Sequence, residues 1–238
     1  QSVRSAALEA LELCAASVIP ALFPFLVVST LLLKLGFSEA LSPWLAGLME
    51  PLFRVGGAGG AALVLGLAGG YPVGARTAAE LYTTGSLSRE EAERLLSFAN
   101  NSNPVFLISV LGVGVFGSVR TGVWLWLIHV LCALLTGLFF RGNGSSFGRQ
   151  YVKRQSASQN ISFSAALVQS VREGLGAILS VCAFVVFFYV LSRPLLSLGG
   201  TTGTVAVGMT ELFSLTPLLT PDRMGFALAA AMSGWGGL

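Results

Sequence analysis

Cys14 to Leu35, Val119 to Phe140 and Leu175 to Leu198 are long apolar stretches that carry charge only towards one end. Each reaches the length of roughly 20 residues that a helix needs to cross the hydrocarbon core of a bilayer. A helix apolar on every side has no face to give to water, so these three are expected to be full spans. Composition agrees: 54% of the 238 residues are hydrophobic and 11% are charged, against about 25% charged in a soluble domain. The net charge of +3 is scattered and gives nucleic acid no basic face to hold. Cys14, Cys132 and Cys182 each stand alone in an apolar run, so they read as buried small hydrophobes. No Ser/His/Asp set, HExxH motif or carboxylate pair is present, so no catalytic residue, metal site or cofactor is expected and the chain is not read as an enzyme.

Two further apolar stretches are too short to cross and end in helix breakers. Gly57 to Gly70 stops at "GGYPVG", and Phe226 to Leu238 runs into "MSGWGGL". Both read as half-spans. If the first turns at Gly69 to Gly74 and returns along Ala75 to Thr84, it makes a re-entrant hairpin whose returning arm carries Arg76 and Glu80 on one face. Charges there must face protein or a cavity. Ser88 to Gly117 reads as a discontinuous helix. Ser88 and Glu91 have capping-box spacing, and Pro104 after "NNSN" breaks the helix because it lacks an N–H and restricts Asn103. Irregular backbone at membrane depth is tolerated only where protein or water satisfies it.

The basic, acid-free loop around Arg141, Arg149, Lys153 and Arg154 is assigned to the cytoplasm by the positive-inside rule. With Ser38 to Val55 laid along the interface, Lys34, Arg54, Arg89, Arg94 and Arg172 fall on the same side. Arg4, Arg120, Arg193 and Arg223 fall on the other, and Arg76 lies in the hairpin. The order of features then repeats. The segments from Ala7 and from Ala166 each hold an acid, Glu12 or Glu173, then an apolar span with Cys and Phe; "LMEPLF" or "GMTELF" follows, then a glycine-ended half-span. The first copy runs inward and the second outward. The expected fold class is therefore an all-α polytopic membrane protein, built from inverted repeats with re-entrant helical hairpins and discontinuous helices. Residues 1–140 form the first repeat, 141–162 the basic loop and 163–238 a second repeat that stops at its hairpin tip. The chain opens at Gln1 without Met or an intact signal peptide, and a sequence short at both ends is expected.

Asn100, Asn101, Ser102 and Asn103 offer donors and acceptors without charge, beside half-helix N–H groups left unpaired after Pro104. They read as substrate-binding; the plainer alternative is a polar break that satisfies only its own backbone. Gly70, Tyr71, Pro72, Gly74 and Arg76 read as a substrate-facing tip with a guanidinium able to fork onto a carboxylate, or else as a tight turn with interface anchors. Glu80 and Glu211 are candidates for a coupling ion or proton, and a headgroup-level acid is the alternative for Glu211. His129 stands without ligand partners, and a metal or proton role is not favoured for it.

"VIPALFPFLV", "GGYPVGA", "NNSNPVFLISVLGVG" and "GWGGL" resemble the YlbJ-type sporulation integral membrane proteins, which carry two nucleoside-recognition (Gate) domains similar to the core of concentrative nucleoside transporters. The resemblance implies that the tip Gly69 to Arg76, the break Asn100 to Pro104 and a second tip, Ser233 to Gly237 with Trp235, line a site. It implies transport of a small organic anion by alternating access, dipicolinic acid in spore formers, across the membrane around the forespore. A nucleoside or other neutral-solute carrier and a non-transporting scaffold for spore assembly stay open as alternatives. Beyond its substrate, the expected partner is the lipid bilayer, and homo-oligomeric assembly is left open.

Overall fold

The computed structural model describes residues 3–141, 162–210 and 215–235. Glu211, the loop residues 142–161 and the side chain of Trp235 lie outside the described residues. Every regular element among those described is helical. Helix α1 is Val3–Lys34, with a π-helical turn at Cys14–Val18. It is followed by α2 (Phe37–Phe53), α3 (Gly59–Gly69), α4 (Val73–Thr83) and α5 (Arg89–Ala99). A π-helical half-helix, Phe106–Val115, precedes α6 (Val119–Phe139) and α7 (Phe163–Ser192), which a 3-10 turn extends over Arg193–Leu198. Last come α8 (Gly200–Thr210) and α9 (Arg223–Trp235).

The chain is an all-α, multi-pass membrane protein. Among the described residues, three helices are long and apolar enough to cross a bilayer: Val3–Lys34, Val119–Phe139 and Phe163–Leu195. The first and third begin earlier than their apolar stretches, because Val3–Leu13 and the start of α7 are rich in Ala, Leu and other good helix formers that extend a helix without needing lipid. Leu127, Leu131 and Leu135 stay exposed along α6, as do Leu175, Leu179 and Phe187 along α7, a pattern suited to lipid contact. Cys132 shares that exposed surface of α6, so the expectation of three buried cysteines holds for Cys14 alone; Cys182 is half-buried. An apolar span needs no buried side for every small hydrophobe, because lipid accepts it equally well.

Packing divides the chain into two compact units. Unit one comprises Gln1–Pro24, Ser102–His129 and Leu175–Leu238; unit two comprises Phe25–Asn101 and Val130–Gly174. Segments of both expected repeats enter each unit, so unit and repeat are different divisions of the chain. Unit two has a buried core of Met49, Phe53, Leu63, Leu81, Leu95 and Phe98 with their neighbours. The Phe53 and Phe98 rings stack with centroids 4.5 Å apart, beneath Gly137 of α6, where a Cβ would sit 2.7 Å from Phe98 Cγ. The capping box forms as spaced: Glu91 N–H donates to Ser88 Oγ (3.2 Å) and Ser88 N–H to Glu91 Oε2 (2.9 Å). Glu91 does more than its spacing announces, since its other oxygen accepts from Gly56 N–H at 2.8 Å and ties the α2–α3 loop to α5. In unit one, the π-helical half-helix crosses α6 backbone to backbone. A Cβ on Gly122 would lie 2.6 Å from Ile108 Cα.

Candidate functional site

The hairpin is α3, a tip and α4. At the tip Gly70 has φ +76°, a left-handed conformation that a side chain resists, and the Tyr71–Pro72 peptide is cis. The hairpin packs on the end of α5 with no room between backbones. A Cβ on Gly66 would lie 1.9 Å from the Ala99 carbonyl oxygen, and one on Gly74 would lie 1.8 Å from it and 3.1 Å from Asn100 N. Two glycines therefore hold the hairpin against the point where the helix breaks. Gly70 and Gly74 are buried, and Tyr71, Pro72 and Arg76 are half-buried.

The break falls where expected. Helix α5 ends at Ala99, Asn100 to Asn103 are irregular, and helix resumes at Pro104. Asn101 is buried, and its Nδ2 donates to Phe98 O at 2.9 Å, satisfying a carbonyl of the last turn of α5. Asn100 Oδ1 is buried and has no hydrogen-bond partner among the described residues. Both belong to unit two, with the hairpin. In unit one, Ser102, Asn103, His129 and Ser233 are all at least nine-tenths buried. Ser102 N–H donates to His129 Nε2 (3.0 Å), and Ser102 Oγ donates to Ser233 O (3.2 Å). The Val105 N–H expected to be free instead donates to Asn103 Oδ1 at 2.7 Å, since a side chain placed just before a helix start is the nearest acceptor for its first N–H groups.

His129, read from sequence as standing without ligand partners, accepts the Ser102 N–H in the fold. A backbone N–H can only donate, so Nε2 must be the unprotonated nitrogen and Nδ1 carries the proton of the neutral ring. The signal available in the sequence was a lone polar residue midway along an otherwise apolar span, which marks function more often than packing.

Arg76 does not reach towards the tip. Its Nη2 pairs with Glu173 Oε2 at 3.1 Å and its Nη1 donates to Glu173 O at 3.2 Å. Lys34 Nζ takes the other carboxylate oxygen, also at 3.1 Å. Glu80, one turn beyond Arg76 on α4, is within electrostatic reach of all three. Glu173 thus joins the end of α1, the hairpin arm and the start of α7, a role its place in the sequence did not announce.

A helical hairpin packs on the end of α5, where the helix breaks, in a membrane protein with three bilayer-length helices among the described residues. Residues 15–122, which contain the hairpin and the break, match the Gate family, described as nucleoside recognition. The chain is 32% identical over 90% of its length to the sporulation integral membrane protein YlbJ of Bacillus subtilis (strain 168), and spans about half, 56%, of that relative. It belongs among the Gate-domain membrane proteins related to YlbJ, as "GGYPVGA" and "NNSNP" lead one to expect. No solved structure matches it.

Proposed function

We propose that the chain is the core of a transporter that moves a small organic anion by alternating access, dipicolinic acid where the organism sporulates, in the membrane around the forespore. The observation that carries this reading is the close packing of Gly66 and Gly74 on Ala99 O, which sets a hairpin tip against unwound, amide-rich backbone. Half-helices that meet at a polar break are how transporters present backbone dipoles and amides to a solute within the bilayer. Repeats at 1–140 and 163–238 joined by the loop at 141–162 would supply the two moving halves. An anion suits the cluster beside the hairpin, where Lys34 and Arg76 converge on a single carboxylate. The relative YlbJ is a sporulation protein by name, and dipicolinate, a flat ring with two carboxylates, is the ligand that the family resemblance implies.

One observation favours a second reading, a nucleoside or similar neutral solute. The unpartnered, buried Asn100 Oδ1 asks for a donor such as a ribose hydroxyl or a base N–H, which a carboxylate lacks. Liposomes holding the full-length protein separate the two. Uptake of labelled dipicolinate, lost in Arg76→Ala and Asn101→Ala variants, supports the anion reading. Uptake of uridine with dipicolinate excluded transfers it to the nucleoside reading, and transport of neither, with capture of partner proteins, leaves the scaffold.

A further inference from the structure

The Glu173 carboxylate stands between two cations, one on each oxygen. In unit one, another carboxylate at a helix–helix contact, Glu9, is met among the described residues by one cation, Arg193, and by the neutral Tyr189 hydroxyl. A carboxylate with one cation and one neutral donor already satisfies itself, so the second cation at Glu173 is more than a structural pair requires. That cation, Arg76, belongs to the hairpin arm and not to either long helix. Its guanidinium has five donors, of which Nη1 and Nη2 are engaged by Glu173. The three side chains are reachable, with relative exposures of 13% for Lys34, 28% for Arg76 and 31% for Glu173.

We propose that Glu173 is a tethered internal carboxylate that occupies the Lys34–Arg76 cation pair when no anionic ligand is present and gives way to the ligand's carboxylate when one binds. This rests on the anion-transport reading and adds a regulating residue to it. Exchange of one carboxylate for another keeps the pair neutralised throughout, so the hairpin arm is released from α7 without leaving bare charges behind. An internal competitor lowers the apparent affinity for the ligand by the fraction of time it holds the site, and removing it restores that fraction.

The test is binding to the full-length protein, with dipicolinate as probe and pyridine-2,6-dicarboxamide, the neutral diamide of the same ring, as control. Glu173→Gln is expected to bind dipicolinate at least about tenfold more tightly than wild type, the factor matching one charge-assisted hydrogen bond, with no change for the diamide. Unchanged or weaker dipicolinate binding in Glu173→Gln, alongside clear binding by wild type, overturns the tethered-carboxylate proposal and leaves the transport reading standing. No dipicolinate binding by either form, with uridine bound, removes the anion-transport reading and the proposal together. A second measurement needs no variant: dipicolinate should accelerate carbodiimide labelling of Glu173 relative to Glu9 in the same wild-type sample, a ratio that cancels the reagent consumed by the ligand's own carboxyl groups, read by peptide mass spectrometry. A ratio that dipicolinate leaves unchanged also overturns the proposal.

Discussion

In unit one the start of α1 meets the end of α7 through Glu9 and Arg193; in unit two the end of α1 meets the start of α7 through Lys34 and Glu173. Each of these two helices carries an acid in its first half and a base at or just beyond its end. The additions differ. Unit one adds Tyr189, whose hydroxyl donates to Glu9 Oε2 at 3.1 Å and whose ring carries the Arg193 guanidinium 4.2 Å from its centroid. All three residues lie on α1 and α7 with its extension, so the cluster is closed on itself. Unit two adds Arg76 from the hairpin. One ion cluster ties two long helices to each other, and its counterpart also ties them to the element that carries the tip. Where the two differ, function is the more economical explanation, because stability alone is already served by the simpler arrangement.

The largest effect should come from loosening the hairpin. Gly74→Ala puts a methyl group where the Ala99 carbonyl oxygen leaves 1.8 Å, and backbone cannot rotate out of the way as a side chain can. A loss of about 3 kcal/mol is expected, read by thermal unfolding in detergent, together with loss of transport. Gly122→Ala in unit one meets Ile108 Cα at 2.6 Å and should cost less. Gly176 has nothing within 4 Å, and Gly176→Ala should be neutral or stabilising by about 0.5–1 kcal/mol. Equal melting temperatures for the Gly74 and Gly176 variants would show that the hairpin is not held by this contact.

His129 is the next lever. Replacing it with Leu removes the acceptor for Ser102 N–H in a buried position, a loss of about 2 kcal/mol. His129→Gln keeps an amide oxygen that can accept, and should recover most of both stability and transport. If the Leu and Gln variants transport equally, the bond does not position the break. The third lever is Glu9→Gln. It removes the charge facing Arg193 while leaving an amide, and because Glu9 and Arg193 are partly exposed the expected loss is only about 1 kcal/mol. Its ligand affinity should equal wild type. A tightening like that proposed for Glu173→Gln would erase the distinction between the clusters.

Local rules were the legible part. Apolar length gave the spans, Ser88 with Glu91 gave the start of α5, and Pro104 with its asparagines gave the break, because each is decided by residues within one or two turns. The hairpin followed from a short apolar run ending in Gly-Gly-Tyr-Pro. Contacts across long sequence separations stayed hidden. Arg76 and Glu173 are 97 residues apart and Ser102 and Ser233 are 131 apart, and no spacing rule connects them. The π-helical winding of Phe106–Val115 was hidden too. It accompanies the close approach of its backbone to Gly122, a feature of packing and not of propensity.

The smallest expected effect separates the two units by their helix caps. Ser88 caps α5 in unit two within a reciprocal pair that also engages Gly56, so Ser88→Ala should cost about 1 kcal/mol. In unit one Asp222 precedes α9, and its Oδ1 accepts from Gly225 N–H at 2.7 Å. That bond, with a further one from Thr220, holds the fully exposed carboxyl below its ordinary value of 3.8. A carboxyl lowered in the folded state binds its proton more readily when unfolded, so the contribution is complete above 3.8 and is lost as pH falls through the lowered folded value. Asp222→Asn still offers an oxygen to Gly225 but does not titrate there. Hydrogen exchange at Gly225 N–H should therefore be slower in wild type than in Asp222→Asn near neutral pH and should converge with it in acid. A difference that persists below the folded value would mean that the cap acts through shape and not through charge.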